Sequence, residues 1–158
     1  MTAWLARRLK LWFRARPLAV ALAALLLVTA CTVKPKSRED ETTTDFRQIS
    51  RVFETTQNFY NRPPKDLAEI RSMLADFHKD GLNDEPDQVL TSSRDNEPYL
   101  IVLPARLGSE PADSIVLCEK TGLDGVRYVM TQNRQVRQVP EAEFRQLRLA
   151  NGKLAAAP

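Results

Sequence analysis

Two thiols, one imidazole and one group of clustered carboxylates are the side chains best suited to chemistry in this chain of 158 residues. Cys31 closes an apolar run, PLAVALAALLLVTAC, that extends from Pro17. Cys118 lies inside Ser114-Ile115-Val116-Leu117-Cys118-Glu119, which reads as a strand. A catalytic thiol needs a nearby imidazole or other cation to lower its pKa. The one histidine, His78, is far from Cys118 in sequence. A buried thiol behaves as a small hydrophobe, and that is the reading of Cys118. His78 at a polar helix end is read as a solvated residue that favours the helix C-terminus when charged. Asp80, Asn83, Asp84, Glu85 and Asp87 gather oxygen ligands within one short stretch. A calcium ion needs about 6–8 converging oxygens. The stretch lacks the alternation, glycine and late glutamate of an EF-hand, so it is read as an acidic loop. Carboxylates do acid–base work when their surroundings split their pKa values, and exposed loop carboxylates rarely meet that condition. There is no glycine-rich phosphate loop, no serine elbow and no second histidine for zinc. The chain is therefore expected to be neither an enzyme nor the holder of a metal or cofactor.

The segment that positions Cys31 is more specific. Arg7, Arg8, Lys10, Arg14 and Arg16 precede the apolar run, and residues 1–30 contain no Asp or Glu. A basic segment, then about 7–15 apolar residues, then small residues is the pattern of an export signal. Leu18 to Ala30 is short of the roughly 20 residues that span a bilayer. Val28-Thr29-Ala30-Cys31 resembles the lipobox of bacterial lipoproteins, with Val28 where leucine is commoner. That resemblance implies cleavage between Ala30 and Cys31 and a diacylglycerol on the Cys31 sulfur. It implies a protein anchored at the cell membrane or outer membrane, with its domain on the periplasmic or extracytoplasmic side. Ordinary secretion and an uncut signal anchor are the alternatives. Arg7-Arg8 matches a twin-arginine signal only loosely.

Cleavage would change the charge. The full chain carries 23 Lys and Arg against 20 Asp and Glu, a net +3. Five of the basic residues lie within 1–30, so the remainder carries 18 basic against 20 acidic side chains. No basic patch of the kind that binds nucleic acid is expected in what is left. About one domain fits in that length. The expected partners are the membrane, through the lipid on Cys31, and an envelope protein.

Residues 31–44 contain almost nothing apolar and read as a flexible tether. From Asp45, which with Thr44 is a candidate N-cap, Phe46, Ile49, Val52, Phe53, Thr56, Phe59 and Tyr60 recur at helical spacing. Arg62-Pro63-Pro64 breaks that helix. Leu67, Ile70, Met73, Leu74 and Phe77 mark a second one, which Gly81 can end. The pattern then turns to strands. Val89-Leu90-Thr91, Tyr99–Leu103, Ser114–Lys120, Val126–Thr131 and Gln135–Val139 alternate with turn-forming segments. The unbroken apolarity of Tyr99–Leu103 predicts a strand contacted on both faces. Pro140 opens a last helix over EAEFRQLRL, with Phe144 and Leu147 inward, and residues 150–158 are read as a loose tail. The expected fold is α+β. Two amphipathic helices pack on a three- to four-stranded antiparallel sheet within a single domain over 45–149, ending in a short C-terminal helix.

Three short motifs carry a second resemblance. Ile49–Tyr60 followed by Arg62-Pro63-Pro64-Lys65-Asp66-Leu67, the Ser93–Val102 entry to a strand, and the ending from Arg127-Tyr128-Val129-Met130 to Glu143-Phe144 resemble the heads of pseudopilins. That resemblance implies, as an alternative function, a component of a type II secretion or pilus assembly system. The chain departs from the family at its start: the short leader, the Phe after the cut, the early Glu and the long apolar assembly helix are missing.

Overall fold

The computed structural model describes residues 37–109, 111–150 and 153–156. Ala30, Cys31 and the apolar run before them lie outside the described residues, as does the start of the expected tether.

Helix α1 spans Arg38–Tyr60. Its start is a capping box. The Ser37 hydroxyl accepts from the Asp40 N–H at 3.1 Å, and the Asp40 carboxylate accepts from the Ser37 N–H at 3.3 Å. Glu39, Asp40 and Glu41 place negative charge in the first turn, where the helix dipole favours it. The tether expected over 31–44 is thus corrected, because residues 38–44 are helical. A polar composition concealed that helix, but a cap and first-turn acids extend the packed segment by two turns. Asp45 is not the cap. It lies inside α1, buried, and accepts from the Tyr99 hydroxyl at 3.0 Å. Asn61 ends α1 in the left-handed region.

Helix α2, Leu67–Lys79, starts at Asp66, whose carboxylate accepts from the Glu69 N–H. It ends in a Schellman arrangement. Gly81 takes φ +70°, its N–H bonds to the His78 carbonyl, and the Leu82 N–H bonds to that of Phe77. A single-turn helix α3, Pro86–Val89, takes up part of the strand expected at 89–91. Only Thr91 pairs there, in an isolated bridge with Pro98. Pro86 at the first helical position and carbonyl acceptors at Glu85 and Pro86 favour the turn of helix.

The sheet holds β1 (Leu100–Leu103), β2 (Ile115–Cys118), β3 (Val126–Thr131), β4 (Val136–Pro140) and β5 (Lys153–Ala156). Its order is β4-β3-β2-β1-β5, and every neighbouring pair is antiparallel. The α+β arrangement is therefore the one expected, with a strand added. Residues 153–156 are not loose tail, since they pair with the whole of β1. Lys-Leu-Ala-Ala has too little alternation to announce a strand, but β1 offers an open edge of unpaired backbone to it. The C-terminal helix α4 is shorter than expected, Glu141–Phe144, with Pro140 as its cap residue. Beyond it the backbone turns to β2. The Ile115 N–H bonds to the Arg148 carbonyl and the Ala150 N–H to the Ile115 carbonyl, so helical bonding cannot continue.

Both faces of the sheet are covered. Phe46, Ile49, Val52 and Phe53 of α1, with Ile70 and Leu74 of α2, share one core with Ile101, Leu117 and Met130. Burying each such side chain stabilises by about 1.5–3 kcal/mol. On the other side Ile115, Cys118, Val129 and Val139 pack with Leu100, Phe144 and Leu147. The aromatic stripe of α1 outruns the core, because Phe59 and Tyr60 are 80% and 61% exposed.

Arg62 closes the break between α1 and α2. Its guanidinium forks onto the Glu69 carboxylate at 2.5 and 2.9 Å, and the Lys65 N–H adds a third bond. The Arg62 hydrogen bonds hold the Glu69 carboxyl at about 2, well below its ordinary 4.5. A carboxyl lowered on folding contributes stability above its unfolded value and loses it as the pH falls toward the folded one. Glu69→Gln should therefore lose about 1 kcal/mol at neutral pH, since the pair is partly exposed. The gap to wild type should close between pH 4.5 and about 2 in urea unfolding followed by circular dichroism.

Candidate functional site

The loop after α3 carries the chain's most constrained polar chemistry. Arg94 and Glu119 form an ion pair at 2.9 Å, with side chains 7% and 0% exposed. Glu119 extends from the end of β2, and it also accepts from the Ser92 hydroxyl at 3.1 Å and the Tyr128 N–H at 2.8 Å. Burial pushes the Glu119 carboxyl up, and the Tyr128 N–H, Arg94 and Ser92 pull against that rise. Arg94 lies over the Tyr128 ring at 4.7 Å. Asp95 accepts from the Thr121 and Gly122 N–H groups at 3.1 and 2.7 Å. Gly122 has φ +77°, and a Cβ there would meet the Val126 carbonyl oxygen at 2.4 Å. Only glycine fits that turn. Lys120 and Glu97 close the outer rim at 2.9 Å. The Ser92–Pro98 segment, visible in the sequence only as a turn and as a motif, is thus bonded to β2, β3 and the β2–β3 turn. A carboxylate held this way, shut off from solvent, fastens the Ser92–Pro98 segment to the sheet.

The residues singled out for chemistry are dispersed. Cys118 carries a free, buried thiol, and burial pushes it up to about 12, so it is protonated at neutral pH. His78 is on the outside of α2, where Nδ1 meets the Asn83 carbonyl at 3.1 Å and Nε2 faces Glu85 at 3.4 Å. The acidic stretch takes different partners. Asp80 is the C-cap of α2, and Asp87 pairs with Arg71. Asp84 and Gln48 exchange two hydrogen bonds, at 2.8 and 3.1 Å, that fasten the loop to α1. The Asn83 amide donates to the Leu74 and Asp84 carbonyls. Among the described residues no three His, Cys, Asp or Glu side chains converge as a metal ion requires. Asp84 shares a cleft of about 320 Å³ with Glu41 and Asp45. Two of the three carboxylates there already accept bonds, from Gln48 and from Tyr99.

Sequence reasoning missed Arg94, Glu119 and Asp45 as partners. A lone Arg and a lone Glu 25 positions apart give no spacing signal. Among the described residues no helix is long and apolar enough to cross a membrane. No family model, no curated protein and no solved structure matches the chain.

Removing one partner of a buried pair strands the other charge, at a cost of about 3–5 kcal/mol. Arg94→Ala should lower the unfolding free energy by that amount in urea titration. The double change Arg94→Met with Glu119→Leu should cost less than Arg94→Ala alone.

Proposed function

We propose that this protein is a lipid-anchored envelope protein whose head works by contact with another protein and performs no catalysis. The observation that carries the reading is Val28-Thr29-Ala30-Cys31 at the end of an apolar run behind five basic residues. The start of α1 at Arg38 adds to it. Five residues separate Cys31 from Ser37, and the six steps between them reach at most about 20 Å at ~3.3–3.6 Å per residue. A head on so short a lead would stay close to the membrane surface and meet partners there. The dispersal of Cys118, His78 and the acidic stretch into separate partnerships favours a contact role over a reaction.

A second reading is a pseudopilin-like component of a secretion or pilus assembly. The order of elements supports it: a long helix, a Pro63-Pro64 break, a second helix, then an antiparallel meander. The capping box at Ser37 counts against it, because a cap marks a helix start and assembly of that kind uses one unbroken helix from the membrane.

Growth with a labelled fatty acid should mark the wild type and leave Cys31→Ser unmarked, and mass spectrometry should find Cys31 as the first residue of the mature chain. Equal labelling of both proteins, or retention of residues 1–30, would refute the lipid anchor. Recovery of the solubilised protein inside a multi-subunit secretion complex would favour the second reading.

A further inference from the structure

Between α1 and the β3–β4 turn runs a cleft of about 400 Å³. Arg47, Arg51 and Arg134 stand along it, Met130 and Val136 contribute apolar lining, and Glu54 is its one carboxylate. The Arg47 side chain makes no ion pair or hydrogen bond among the described residues. Arg51 donates to a neutral acceptor, the Leu82 carbonyl, at 3.0 Å. Arg134 pairs with Glu54 at 2.5 Å, but both side chains are well exposed, at 60% and 40%. Such a pair is weak, and an incoming carboxylate can take over Arg134 at little cost. The same two residues also line a second basin of about 530 Å³ that continues past Asn58.

We infer that this cleft binds an extended, acidic segment of a partner protein. Three features select that occupant. The charge is one-sided, three guanidiniums to one carboxylate, and guanidinium forks suit carboxylates. The shape is concave, which a side chain can enter and a bilayer surface cannot. The spacing also fits. Arg47 and Arg51 are one helical turn apart, about 6 Å along the axis. Alternate residues of an extended chain are about 6.6 Å apart and point the same way. A Glu-x-Glu segment lying along α1 would offer one carboxylate to each arginine. This inference deepens the protein-contact reading by giving the contact a place and a chemistry.

The probe is a fluorescent decapeptide of alternating Ser and Glu, and the protein is the full acylated chain in phosphatidylcholine nanodiscs. Fluorescence anisotropy should show saturable binding that weakens with added salt. Arg47→Glu with Arg51→Glu should weaken it at least about tenfold, the loss of roughly one good charge-pair contact. The same variant should bind a Ser-Lys decapeptide that the wild type ignores. Arg145→Glu with Arg148→Glu, an equal charge change on exposed side chains beyond α4, should change binding less than about twofold if local contacts and not net charge decide. No saturable binding, or an equal loss in Arg145→Glu with Arg148→Glu, would overturn the proposal. Failure here with Cys31 still acylated would remove the cleft and leave the anchor standing.

Discussion

The fold depends on keeping the Arg94–Glu119 pair dry. An ion pair withdrawn from water is tolerated only when its remaining donors and acceptors are satisfied. Here Ser92, the Tyr128 backbone and the Tyr128 ring supply those partners. The pair and these partners come from three stretches of chain, so the pair forms only when the loop after α3, the end of β2 and the middle of β3 are all in place. That requirement fixes where the chain enters β1. Tyr99, immediately after the loop, is sent under α1, where its hydroxyl reaches Asp45 and its ring meets Phe46 edge-on at 4.9 Å.

The sheet and helices follow from that placement. β1 leaves the loop as the second strand from one edge, buried from above by α1 and α2 and bordered by β2 and β5. The far face would be left bare by α1 and α2, which precede the sheet. The chain after β4 covers it instead, with Phe144 and Leu147 packed on the cluster around Cys118 and Val129. Arg127 lies over the Phe144 ring at 4.5 Å and pairs with Glu141 at 2.7 Å, which ties α4 to β3.

A consequence for function is that most of the reactive-looking groups are committed to holding the fold. Glu119 and Asp95 fix a loop, Asp84 fastens the acidic stretch to α1, and Cys118 fills space. Among the groups left to the outside are the guanidiniums along α1 and the overhanging Phe59 and Tyr60. Side chains of this kind suit the proposed contact with another protein.

The amino-acid order by itself determined the alternation of helices and strands from Phe46 to Phe144, apart from 86–91, where a turn of helix stands at the start of the expected strand. Apolar spacing is a local property, and each stretch obeys it without help from distant residues. It also located Pro63-Pro64 and Gly81 as breaks, since backbone restrictions act on the residue that carries them. What it could not show was anything that needs a partner remote in sequence. The helix at 38–44 is a different case, since its Ser37–Asp40 capping box is local and was hidden only by a polar composition. The strand at 153–156 exists because β1 has an edge to fill. The roles of Asp45, Arg94 and Glu119 arise where separate segments meet, and no spacing within one segment encodes that meeting. Tertiary structure decided those, because burial makes a polar side chain's partner obligatory, and only the folded chain says which partner is within reach.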